Sequence, residues 1–433
     1  MMLSVLIFLA CYALIVTEKF NKTIIVLVGA AAAILLHQID SQEAFAKVDL
    51  NVVFLLIGMM MIVNILALSG VFEWTAITLA KKSRGNGMFI LFAFVILTAV
   101  LSSFLDNVTT VILIAPITIL ITQILEMPTV PFLILEAIFS NIGGTATLIG
   151  DPPNILIGSQ AGLTFNEFLV NLSPVIILIT LASAALLFLT FRKKAQTRES
   201  ARALIMKADP QKAIINPMIL RRGLPIFGLV LVGFFLAHVL DIEPGIIALV
   251  GAFLMAGICR IHLHEVMGKV EWETILFFIG LFMLIGALEV KGVFEFLGHE
   301  MVALTKGQLL LTALSILWVS ALASAVVDNI PLVIAMIPLI NTIIPEFAQS
   351  MGIAGDPAAI HSQIKAPLFW SLALGACLGG NGTLIGASAN VVISQIAHRN
   401  NYKLSFLDFT RQGAVYMLLS LLISSAYIAL RYF

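Results

Sequence analysis

Long apolar runs recur from one end of the chain to the other, separated by short polar stretches. They cover roughly residues 3–17, 22–37, 51–69, 87–105, 108–125, 132–160 and 167–191. They then recur over 224–240, 245–260, 273–290, 308–327, 330–344, 367–398 and 411–432. Runs of 15 to 20 residues are long enough, as helices, to cross a hydrocarbon layer of ~30 Å. Two kinds of site interrupt them. One is an Asp-Asn pair between two apolar arms, and the other is a Gly-rich break within a run.

Both interruptions occur twice. Leu101–Pro116 reads LSSFLDNVTTVILIAP and Leu322–Pro338 reads LASAVVDNIPLVIAMIP, with Asp106-Asn107 and Asp328-Asn329 222 residues apart. The Gly-rich partners, NIGGTATLIGDPPN over Asn141–Asn154 and CLGGNGTLIGASAN over Cys377–Asn390, are 236 apart. Ile57-Gly58-Met59 matches Ile279-Gly280-Leu281, and Gly70-Val71-Phe72-Glu73 matches Gly292-Val293-Phe294-Glu295, at the shift of 222. The change of shift puts about 14 extra residues in the second half, in the polar segment Pro345–Lys365, which reads as a loop.

This predicts an all-α polytopic membrane protein of two repeats, residues 1–191 and 223–433, joined by a charged linker, 192–222. Each repeat has about five transmembrane helices, a hairpin re-entrant at Asp-Asn and a broken helix. Whether the hairpin arms turn back or cross, each half crosses an odd number of times, so the repeats are inverted. With the linker placed in the cytoplasm, 19 of the 24 Lys and Arg residues fall inside and five outside. That is the asymmetry expected of cytoplasmic loops. Both termini then face outward.

The composition agrees: 60% hydrophobic, 11% charged. The first run lacks a basic leader and a small-residue cleavage site, so it reads as a retained helix. Zero formal net charge argues against nucleic acid as a partner. Cys11, Cys259 and Cys377 share no metal spacing. No Walker motif, Gly-x-Ser-x-Gly elbow or metal-spaced His cluster is present, and His262 with His264 reads as a charged loop. An enzyme, a cofactor and a resident metal are therefore not expected. The energy source is an ion gradient or a separate ATPase subunit.

Irregular backbone at membrane depth persists only where protein or water satisfies it. Gly143-Gly144, Gly150 with Pro152-Pro153, and Gly379-Gly380 with Gly382 and Gly386 should each unwind a helix. The exposed carbonyls and helix ends would then serve an ion and a substrate. Packing kinks are the plain alternative, but a matched pair of broken segments is the usual pointer to a transporter site. Candidate substrate contacts are Asn141, Gly143, Gly144, Thr145, Thr147, Asp151, Asn154, Gly379, Gly380, Asn381, Thr383 and Asn390. Candidate coupling residues are Asp106 and Asp328, with Asn107, Asn329, Ser102 and Ser103 beside them. A mid-membrane Asp is costly and marks ion or proton paths. Each Asp also precedes a helical arm, where it could simply cap, and the hydroxyls could bond back to their own helices. Asp151 is replaced by Ala387 in the second half, which suggests an asymmetric site. Glu136 reads as reaching the interface, Asn64 and His238 as satisfied polar residues, and Cys377 as a small buried hydrophobe. Phe72–Arg84 reads as amphipathic along the cytoplasmic surface.

At Asp106-Asn107-Val108-Thr109-Thr110 and at Asn141–Asn154 the chain resembles the ion transporter superfamily. That superfamily includes citrate and dicarboxylate symporters, Na⁺/H⁺ antiporters, arsenite permeases and the melanosomal P protein, and these strings look most like the arsenite-permease and P-protein branch. The resemblance spans both halves. It implies inverted repeats, a scaffold part that often dimerises and a mobile transport part carrying hairpins and broken helices. In the dicarboxylate branch the tips read Ser-Asn-Thr, whereas here they read Asp106-Asn107-Val108 and Asp328-Asn329-Ile330. Acidic tips repel a dianion, and no Arg or Lys is expected at matching depth. The sequence therefore points to proton-coupled efflux of arsenite or antimonite in a cell membrane. A Na⁺/H⁺ antiporter and, behind it, a Na⁺-coupled organic anion carrier are the alternatives.

Overall fold

The computed structural model describes residues 1–17, 19–192 and 199–433. Among them every regular element is helical, and the protein is an all-α polytopic membrane protein. Eight helices are long and apolar enough to cross a membrane: Leu50–Ala67, Asn107–Ile124, Phe165–Phe191, Pro217–Leu240, Trp272–Val290, Leu309–Val326, Asn329–Ser350 and Phe406–Tyr432. Shorter apolar helices accompany them. Lys22–Leu35, at 14 residues, rises only ~21 Å. Its start is fixed by Asn21, whose side chain accepts from the Thr23 and Ile24 amides. Thr164 and Glu167 form a reciprocal capping box at the start of Phe165–Phe191.

The helices pack in two sets that interleave the two halves of the sequence. Met2–Val16, Lys22–Leu35 and Leu50–Ala67 pack with Pro217–Leu240, Pro244–Ile258 and Trp272–Val290. The arms and broken helices of both halves form the other set, with Phe165–Phe191 and Phe406–Tyr432 against them. Within that set each broken helix lies tightly against one arm. The reason is steric: a Cβ on Gly143 would sit 2.0 Å from the Ala99 carbonyl oxygen, and one on Gly379 would sit 2.5 Å from Ala321 Cα. Only glycine lets these backbones approach so closely.

Several sequence expectations are corrected. Pro345–Lys365 is mostly helix. Asn329–Ser350 runs through Pro345, carried by buried Phe347 and Ala348, and helix resumes at Pro357 with a π-turn at His361–Lys365. His361 Nε2 lies 2.6 Å from Glu167 Oε1, which ties that segment to the body. Within the expected linker, Glu199–Lys207 and Pro210–Ala213 are helical and pack against Val71–Lys82. Helix Pro217–Leu240 begins before the linker's expected end, and residues 193–198 lie outside the described residues. Gly70 starts Val71–Lys82 with φ 78°, where a Cβ would also meet the Ala213 carbonyl at 1.9 Å.

Candidate functional site

Each pair of arms meets at its Asp-Asn tip. Gly87–Ser102 leads to Asn107–Ile124, and Leu309–Val326 leads to Asn329–Ser350. Both tips and both broken helices line one cavity of about 740 Å³, which contains Asp106, Asn107, Asp151, Asp328, Asn329 and Ser388. Lys22, Glu271, Glu273 and exposed Phe20 also line the cavity. That volume suits a small solute.

The first tip is satisfied locally. Asp106 caps its helix, accepting from the Thr109 amide at 2.8 Å and from the Thr109 hydroxyl. Beside it, buried Asn107 donates from one amide nitrogen to Asn141 Oδ1 and to Asp151 Oδ1, both at 3.1 Å. Asp151 Oδ2 is buried without a hydrogen-bond partner. The Asn141 amide donates in turn to Asn381 Oδ1 at 2.9 Å and Asn390 Oδ1 at 3.0 Å, which joins the two halves. Asn154 and Asn390 do equivalent work. The Asn154 amide donates to the Thr147 carbonyl at 2.8 Å, and the Asn390 amide donates to the Thr383 carbonyl at 2.9 Å. Such side chains satisfy carbonyls that the helix breaks release.

The second tip is satisfied at long range. Asp328 makes no capping bond. Its Oδ2 accepts from Lys22 Nζ at 2.7 Å and from the Ser388 hydroxyl at 3.2 Å. The Lys22 ammonium also stands 5.0 Å from the centre of the Phe277 ring. This overturns the expectation that no cationic side chain lies at the depth of the tips. The sequence placed Lys22 at a helix start on the surface, but its stem reaches inward along that helix end. Ser388, Phe277, Glu271 and Glu273 were likewise missed, because only the fold brings them to the tips.

Other predicted residues lie behind the cavity wall. Ser102 accepts from the Ser140 hydroxyl at 3.2 Å, and the Ser103 hydroxyl donates to the Ala99 and Gly143 carbonyls. Thr145 bonds back to the Asn141 carbonyl at 2.7 Å. The Thr147 and Thr383 hydroxyls donate to the Ser103 and Ala325 carbonyls, each clasping its own hairpin tip. Gly144 approaches the Gly150 carbonyl and Gly380 the Gly386 carbonyl, so these glycines close the breaks. Cys377 Sγ rests 3.5 Å from Asn154 Oδ1, buried and away from the buried thiols Cys11 and Cys259, which line other helices. Glu136 is corrected. It is buried in the packed interior and accepts from the Thr118 hydroxyl, because helix Thr129–Gly144 is enclosed from its first residue.

Five carboxylates, on Asp106, Asp151, Asp328, Glu271 and Glu273, line the cavity. Lys22 is the one cationic side chain among its described lining residues. Burial, reinforced by the charge on Asp106, lifts the Glu271 carboxyl above its ordinary range.

The sequence is similar to known membrane proteins along its whole length. An uncharacterized transporter of Mycobacterium tuberculosis is 43% identical, over 99% of this chain and 98% of that one. The P protein of Mus musculus is 32% identical over 98% of this chain, which spans 59% of that protein. Among solved structures, the YdaH transporter of Alcanivorax borkumensis superposes with a TM-score of 0.59 at 15% identity, over 92% of this chain and 87% of that one. It shares the fold. The citrate transporter family matches residues 12–364. Two helix breaks and two Asp-Asn tips on one cavity, with this match over most of the chain, lead to one assignment: the chain belongs to the citrate transporter family of the ion transporter superfamily and is a multi-pass secondary transporter.

Proposed function

We propose that the protein is a proton-coupled exporter of arsenite or antimonite in the cell inner membrane, working by alternating access. The observation that carries this reading is the charge of the cavity, where both tips and the first break present carboxylates against a single ammonium. An anionic cargo is opposed there. A second negative charge about 6 Å from a carboxylate costs roughly 3 kcal/mol at an effective dielectric near 20. A neutral trihydroxide needs only hydrogen-bond partners, and the cavity offers Asn107, Asn329, Ser388 and the tip carboxyls. Asp106, Asp151 and Asp328 then carry protons.

In this reading the halves 1–191 and 223–433 are inverted repeats around the linker 192–222, which is cytoplasmic, with both termini outside. The matched clasps of Thr147 and Thr383, and the matched glycine contacts, support equivalent halves. The helix set carrying Leu50–Ala67 and Pro217–Leu240 would be the scaffold, through which two copies would pair. The other set would move. The same carboxylate excess favours a second reading, a Na⁺/H⁺ antiporter. Citrate, the solute in the family's name, is the reading that the cavity charge disfavours.

Everted vesicles given arsenite, Na⁺ and citrate side by side test this. Arsenite accumulation without ATP, removed by a protonophore, is expected. Citrate accumulation, or Na⁺-driven proton movement without arsenite uptake, would overturn it. A dependence on ATP would point to a separate ATPase subunit.

A further inference from the structure

We propose that Lys22 is a built-in counter-ion for Asp328, which holds the second hairpin tip to the neighbouring helix set until a proton takes the carboxylate. This rests on the proton-coupled reading above.

The backbone of Lys22 is anchored away from the tip. Asn21 Nδ2 donates to Glu273 Oε1 at 2.6 Å, and the Thr23 hydroxyl donates to the Glu273 carbonyl at 3.1 Å. The residues on either side of Lys22 are thus tied to helix Trp272–Val290, in one helix set. Asp328 belongs to the other set. The 2.7 Å ion pair therefore bridges the two bodies that alternating access must separate.

The pair is built to be reversible. The Asp328 side chain is 13% exposed and that of Lys22 is 36%, so the ammonium has water at hand when released. Asp328 Oδ1 is buried and unpartnered, which leaves one oxygen free for a proton. Transfer of a proton from cavity water to Asp328 makes the carboxyl neutral. It ends the charge attraction and leaves Lys22 over Phe277, near Glu271 and Glu273. Asp106, Asp151 and Tyr12 also face this region. None has a described ammonium beside it, and position 244, the counterpart of Lys22 in the second half, is proline. The device therefore exists on one side only.

The test reads the tip directly and needs no cargo, so it stands whether or not arsenite is carried. A single cysteine is placed at Val327, next to Asp328 in the cavity, with the three native cysteines replaced by serine. Its labelling by a charged methanethiosulfonate is followed against pH on purified protein. In the otherwise unaltered chain, labelling should accelerate as pH falls. Lys22→Gln should label fast at every pH, since the ion pair that holds the tip is gone. Lys22→Arg should keep the original pH dependence of labelling. A flat profile with Lys22 in place overturns the proposal even if Lys22→Gln does not accumulate. So does labelling in Lys22→Gln that stays slow at neutral pH and accelerates on acidification as in the unaltered chain.

Discussion

The two hairpin tips have the same Asp-Asn pair and solve the same problem differently. Asp106 is served by its own helix, through the amide and hydroxyl of Thr109. The residue at the matching place after Asp328 is Pro331, which has neither an N–H nor a hydroxyl. Asp328 is left open to Lys22, 306 residues away in sequence, and to Ser388. Ser388 itself stands where the first half has Pro152, so the first tip lacks that partner. Two exchanges involving proline accompany the change from a self-contained tip to one bonded by distant parts of the chain. Near-identical motifs therefore sit in different hydrogen-bond surroundings, and the residues three places on differ with them.

The sharpest way to break this comparison is to remove each charge separately. Asparagine caps a helix about as well as aspartate, so Asp106→Asn should fold and keep its stability while losing proton-driven transport. Asp328→Asn should lose transport as well, and it strands Lys22. We expect it to cost a further ~1–2 kcal/mol, between values for exposed and buried pairs. Protonophore-sensitive transport and thermal unfolding in detergent check both. Equal stability losses would show that the tips do not differ in the way described.

The glycines behind the tips come next. Gly143→Ala forces a Cβ to within 2.0 Å of the Ala99 carbonyl oxygen, whereas Gly379→Ala meets Ala321 at 2.5 Å. Both neighbours are backbone and yield little. Overpacking of this kind costs ~1–3 kcal/mol or more. Unfolding temperatures should fall for both variants, and further for Gly143→Ala. An unchanged melting temperature in either would mean that the arm can slide away from the broken helix.

Much of this architecture was legible in the sequence. The runs, the breaks and the tips follow from apolar length and from Gly and Pro, which act locally. The partners of the tips were not legible. Nothing near Lys22 signals a residue 306 positions on, and a lysine at a helix start ordinarily faces water. Glu136 was misread for a related reason: one turn into a helix means near the surface only if the helix end is exposed, and tertiary packing decides that. The threonines of the breaks were expected to face a cargo. Thr147 and Thr383 clasp the tips and Thr145 bonds back to its own helix, because carbonyls nearby claim these hydroxyls first.

A finer test exchanges the deciding residues. Thr109→Pro removes the Asp106 cap and should cost about 1 kcal/mol. Pro331→Thr should offer Asp328 a local amide and hydroxyl and draw it from Lys22, at little cost in stability. Its proton dependence of transport should then move toward that of Lys22→Gln. Transport that keeps its original pH profile in Pro331→Thr would show that the lysine, and not the missing cap, sets the state of the second tip.

The smallest effect is expected where the halves differ away from the tips. Glu136 corresponds to Leu372, and both are buried. The Glu136 carboxyl has one oxygen bonded by Thr118 and the other without a partner. A half-satisfied buried carboxyl contributes little, and well-packed apolar replacements for buried polar groups are often neutral or favourable. In Glu136→Leu the Thr118 hydroxyl can turn to a carbonyl of its own helix, as Thr122 already does toward Thr118. The variant should therefore unfold within ~1 kcal/mol of the starting protein and transport normally. A large loss of proton-driven transport with stability intact would move Glu136 into the coupling path. The first half would then hold a buried proton carrier that the second half lacks, beyond the difference already visible at the tips.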